Sequence, residues 1–218
     1  MLQESTMKFM KDLANNNNKP WFDAHKEQYL AVKEDFETLV GKVLDHLAAD
    51  DAAYKEIKPK DCIMRIYRDV RFSKDKTPYK TNLAAGFSKG GKKFEGGGLY
   101  LHIEPGKSFV GGGVWMPEMP VLKAVRQEID YNFAEFEKIV NDKQFKKLFG
   151  KVEGEALKKL PQGYEADNPA IGYLKMKSYI VEHKLANEDV CGKGFEKKVA
   201  AAFATMKPFI DFMNRAIQ

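Results

Sequence analysis

Cysteine is scarce. Cys62 and Cys191 stand alone, with no C-x-x-C spacing. Two such residues give no disulfide framework, so a reduced, cytoplasmic location is the expectation. Long apolar runs are missing too. None approaches the roughly eighteen residues of a membrane span, and no membrane partner is expected. The opening "MLQESTMKFMKDLANN" lacks the apolar stretch of a secretory signal. Histidine is sparse: His25, His46, His102 and His183 are isolated, with no H-E-x-x-H or H-x-H pair. No metal site is expected from that spacing.

Other site patterns fail in turn. No G-x-x-x-x-G-K-[ST] occurs, which removes a P-loop. The glycine triplets at 96–98 and 111–113 do not continue as G-x-G-x-x-G. Ser73 to Lys76 spells S-x-x-K, but Pro78 disfavours a helix there and no S-D-N accompanies it. No repeat or linker divides the chain. One domain over 1–218 is expected, since 218 residues lie at the upper end of a single domain.

What the chain does have is one concentration of positive charge. The formal net charge is +5, and Arg65 to Lys80 holds six basic and two acidic residues. That segment contributes +4, so the remainder is close to neutral. A local anion site fits this distribution better than a broad electrostatic footprint.

Periodicity supplies the frame. Thr6 is read as the cap of a short helix with Phe9, Met10 and Leu13 on its apolar side. "NNNN" (15–18) breaks it, and Pro20 opens a long amphipathic helix carrying Phe22, Tyr29, Val32, Phe36, Leu39, Val43 and Leu47. "DCIMRIYRD" and "LAAGFS" read as strands. Leu99, Leu101 and Ile103 alternate with Tyr100, His102 and Glu104, and "EPGK" suits a type II turn. A central β-hairpin over about 97–116 follows. Beyond it, Leu122, Val125, Ile129, Phe133, Phe136 and Val140 keep helical spacing, Asn168 caps before Pro169, and "KSYIVEHKL" is a further strand. The C-terminal helix is expected to kink or restart at Pro208. The fold class is α+β: a mainly antiparallel sheet packed by N- and C-terminal helices.

The basic segment has an internal logic. A strand delivers Arg65 and Arg68, Arg71 lies past its end, and "SKDKTPY" turns the chain between Lys76 and Lys80. Guanidinium groups grip phosphate or carboxylate oxygens bidentately, and lysines add point charges. Tyr79 offers a hydrogen bond or a ring to stack on. Asp69 and Asp75 would fix the cations' rotamers. The competing structural reading makes these pairs ordinary surface ion pairs, with Phe72 and Tyr79 as core anchors. Arg126 shares a helix face with Leu122 and Ile129 and needs a buried partner. It is expected to turn toward the sheet, where it could join the same site; the alternative is a side chain that snorkels from the edge of the stripe. Gly111–Gly113 interrupt a strand, which fits close approach of a ligand or of a large side chain such as Trp21 or Trp115.

"NNNNKPWF" (15–22), "RIYRDVRFSKDKTPYKTN" (65–82), "GLYLHIEPGKSFVGGGVWMPE" (98–118) and "LKKLPQGYEADNPAIGYLKMKSY" (157–179) together resemble the domain of unknown function (DUF) 2461 family. The blocks are in order and cover nearly the whole chain. The family commonly has Asp-His-Pro where this chain has Asp167, Asn168 and Pro169. The resemblance therefore brings no catalytic role to that position, and it brings no activity or cofactor.

The expectation drawn from the residues is a small phosphate- or carboxylate-bearing ligand held by Arg65, Arg68, Arg71, Lys76, Tyr79, Lys80 and Arg126. Nucleic-acid or protein binding is the alternative, because Tyr67, Phe72 and Tyr79 interleave with the cations. The third reading is a purely structural basic loop. Side-chain direction separates the three.

Overall fold

The computed structural model describes residues 1–88 and 96–217. Helices α1 (Glu4–Asn15), α2 (Lys19–Ala24), α3 (Lys26–Asp50) and α4 (Pro59–Cys62) precede strands β1 (Leu83–Phe87), β2 (Gly98–Ile103) and β3 (Phe109–Val114). Helices α5 (Met119–Tyr131), α6 (Phe133–Val140), α7 (Lys143–Phe149) and α8 (Ile171–Leu174) follow. Strand β4 (Tyr179–Lys184) and helices α9 (Asn187–Val190) and α10 (Phe195–Arg215) complete the order. The four strands form one antiparallel sheet in the order β1-β2-β3-β4. The α+β class expected from the sequence is the one adopted.

The hairpin of β2 and β3 falls where alternation places it. Leu99, Leu101 and Ile103 are buried, and their neighbours Tyr100, His102 and Glu104 face the other way, half-buried. Gly106 turns the chain with φ +78°, the left-handed geometry a type II turn requires. The groups nearest to Gly112 and Gly113 in β3 are neither Trp21 nor Trp115. A side chain at Gly113 (φ +126°) would strike the Tyr179 carbonyl of β4, and one at Gly112 would strike Met206. Backbone and the Met206 side chain fill the space beside those two glycines.

Several local expectations change. Residues 61–69 do not form a strand. Asp61 and Cys62 finish α4, and the next residues touch their partners at only two isolated bridges, Ile63 with Ala85 and Tyr67 with Tyr79. Three residues separate those bridges on one side and five on the other, so a continuous ladder cannot form. Thr6 is no cap: α1 begins at Glu4, and the buried Thr6 hydroxyl donates to Asp35 Oδ2 at 2.6 Å. The long second helix divides at His25 into α2 and α3. Asn168 caps no helix directly. Its Oδ1 accepts from the Ala170 amide at 2.8 Å, and α8 starts one residue later. Helix α10 runs on through Pro208, its Met206, Phe209, Ile210 and Met213 all buried.

Two compact units share the chain. One takes Met1–Lys92, Tyr100–Val110 and Lys184–Ala200; the other takes Lys93–Leu99, Gly111–His183 and Ala201–Gln218. They interleave along the sequence, so no single cut separates them. In the first unit α1 and α3 pack together, and α3 also meets β1. In the second, Phe136 lies 5.3 Å from Phe212 and Phe145 lies 5.7 Å from Phe209, ring centre to ring centre. No helix among the described residues is long and apolar enough to cross a membrane.

Candidate functional site

The basic segment is an arm on an aromatic floor, all within the first unit. Its outgoing and returning segments exchange backbone bonds: Arg68 N to Pro78 O at 2.9 Å and Lys80 N to Ile66 O at 2.8 Å. Beneath it, the Tyr79 ring stacks on Phe22, centres 4.0 Å apart and planes 15° apart. Phe22 and Tyr79 are both buried, and Tyr29 and Tyr67 lean on the same pair. Asn17 fixes the register. Its Oδ1 accepts from Tyr79 N at 3.0 Å and its Nδ2 donates to Tyr79 O at 2.8 Å. The side-chain amide thus pairs like one more strand residue. Asn18 caps α2, accepting from Trp21 N at 3.0 Å. The asparagine run anchors the arm as well as breaking the helix.

At the tip, the charges are used internally. Arg68 Nη1 donates to Asp75 Oδ2 at 2.6 Å and to Thr77 O at 3.0 Å, and it also meets the Thr77 hydroxyl. Asp75 Oδ1 accepts from Thr77 N at 2.9 Å. The Thr77 backbone and side-chain bonds, then Arg68, hold the Asp75 carboxyl down to about 2. Arg71 grips Asp69 with two parallel bonds, 3.0 Å from Nε and 2.7 Å from Nη2. That grip holds Asp69 below the usual carboxylate range. Lys76 Nζ caps the Val70 carbonyl at 2.9 Å. Phe72 is not a core anchor: it is 96% exposed, with the Arg71 guanidinium 5.8 Å from its ring centre.

At the base, two cations have no such use. Arg65 is exposed and Lys80 half-buried, and among the described residues neither forms a hydrogen bond or ion pair through its side chain. Burial lowers the Lys80 ammonium's pKa, and the like charge of Arg65 lowers it further. Asp69 feels Arg65 only weakly, its oxygens being held by Arg71.

Next to Lys80 stands a relay that motif searching does not detect. The Thr81 hydroxyl donates to Glu104 Oε1 at 2.8 Å, Glu104 Oε2 lies 3.3 Å from His102 Nε2, and His102 Nδ1 lies 3.2 Å from the Tyr100 hydroxyl. His102 also stacks on Phe109 at 4.7 Å. The signal was the alternation itself: residues 100, 102 and 104 share one strand face. Burial raises the Glu104 carboxyl's pKa, but the bonds from Thr81 and His102 and the nearby charge of Lys107 together leave it below its ordinary value.

Arg126 belongs to the second unit. It bonds to the Met176 carbonyl and to the Tyr179 hydroxyl, and its charge reaches Tyr164, all within that unit. A shallow groove of about 450 Å³ in the first unit, lined by Gln3, Thr6, Asp12, Gln28 and Asp35, contains none of the expected site residues. No cluster of three or more metal-ligating side chains occurs among the described residues.

A family model described as conserved hypothetical protein (DUF2461) matches residues 5–212, and the chain belongs to that family. No curated protein and no solved structure matches it.

Proposed function

We propose that this family member binds a small phosphate- or carboxylate-bearing ligand at the base of the arm, through Arg65 and Lys80. The observation behind the proposal is that these two cations lie within each other's field while neither side chain forms an ion pair or hydrogen bond among the described residues. Like charges in proximity repel, and a partly desolvated ammonium is worse off still. An anion relieves both costs at once. Arg68, Arg71 and Lys76 then act as positioning residues that stiffen the arm, and Tyr79 serves through its buried ring.

One observation favours nucleic acid as a second reading. The tip presents Phe72 almost fully exposed beside Arg71, a ring open for base stacking. One titration separates the two. Inorganic phosphate is added to the wild type, Lys80→Met and Arg68→Ala while the melting temperature is followed. Stabilisation of the wild type and Arg68→Ala, with none for Lys80→Met, is expected. An equal response in Lys80→Met refutes the base as the site.

A further inference from the structure

The second unit holds a cation that the basic arm does not explain. Arg126 lies on α5 in the stripe of Leu122, Val125 and Ile129, only 5% exposed. A guanidinium withdrawn from water needs a counter-charge or a full set of acceptors. Arg126 has neither. Its Nη2 donates to the Met176 carbonyl at 2.9 Å, and its Nε is buried with no hydrogen-bond partner. The carboxylate that helical spacing offers is Asp130, one turn along. Asp130 does not pair with it. Its Oδ1 is taken by Asn168 Nδ2 at 2.6 Å.

Phenols make up the rest of the surroundings. The Tyr179 hydroxyl donates to Tyr173 O at 3.0 Å. Tyr164, half-buried in the turn-rich segment before α8, sits in the field of both Arg126 and Asp130. Burial raises the pKa of both phenols, and Arg126 pulls both back.

We propose that Arg126 forms the cationic wall of a second binding site, for a small carboxylate, covered by Tyr164. The charge balance selects the ligand class. A single guanidinium with Asp130 in range favours a monoanion over a phosphate dianion. A planar carboxylate matches the orphaned N–H of a guanidinium fork. The residues are distinct from Arg65 and Lys80, so this site stands or falls independently of the arm.

Acetate is the probe. A buried Arg Nε–H exchanges slowly and gives its own proton–nitrogen resonance, assigned as the one that Arg126→Lys deletes. Acetate is expected to shift it. Magnetisation should also pass from protein to the acetate methyl, be lost in Arg126→Met, and persist in Lys80→Met. Transfer that survives Arg126→Met overturns the proposal. So does a wild-type Nε–H resonance that acetate leaves in place, a readout that holds even if Arg126→Met fails to fold.

Discussion

The tip and the base of the basic arm carry the same kinds of residue and use them in opposite ways. At the tip, Arg68, Arg71 and Lys76 spend their donors on Asp75, Asp69 and the Val70 carbonyl. At the base, Arg65 and Lys80 lie within each other's field, and neither side chain is paired with an acid among the described residues. Counting charge along the sequence treats the two alike. Pairing distinguishes them: a cation already bonded to its own loop shapes the protein, and one left unpaired is available to a ligand. Surface pairs such as those at the tip contribute little to global stability. Their effect is local, holding a turn in one geometry so that the base keeps its spacing.

The largest effect should come from removing what both regions rest on. Phe22→Ala deletes a buried ring that stacks on Tyr79 and should cost about 3–5 kcal/mol. Denaturant unfolding measures this, and the phosphate response should vanish with the floor. A cost below about 1 kcal/mol would mean that the arm is seated elsewhere.

A smaller effect separates tip from base by pH. The Asp75 carboxyl is held to about 2 against an ordinary 3.8. A depressed carboxyl stabilises the folded form above its ordinary value and ceases to do so as pH falls through its folded value. The latch should therefore be intact at neutral pH, weaken below 3.8 and be lost below about 2. Amide exchange at Thr77 reports it, since that N–H bonds to Asp75. Protection relative to the intrinsic exchange rate that is already lost on acidification to pH 5 contradicts the latch, because Asp75 is still ionised there.

Much of the fold was legible in the sequence because the signals are local. Strict alternation gave the β2–β3 hairpin, and helical spacing gave the stripes of α3, α5 and α10. The site was legible only as a region. Which cations are paired depends on contacts between residues that no spacing rule links, such as Asn17 with Tyr79. The segment 61–69 reads as a strand by composition, but unequal lengths between its two bridges reduce it to isolated contacts. His102 looked isolated because its partners, Tyr100 and Glu104, lie two residues away on either side, a spacing that only an extended strand brings together. Helical spacing left Arg126 either buried or snorkelling from the stripe; it is buried, and its surroundings come from the loop around Tyr164 and from β4, distant in sequence.

The most direct measurement is the titration of the Lys80 ammonium by heteronuclear NMR, with and without inorganic phosphate. Without phosphate, Lys80 should titrate below the ordinary lysine value, depressed first by burial and then by Arg65. With phosphate, its pKa should rise, because an anion favours the charged form. By linkage, phosphate affinity should fall as pH climbs through the same range. A Lys80 that titrates at the ordinary value, and that phosphate does not move, would contradict an unpaired cation site at the base of the arm.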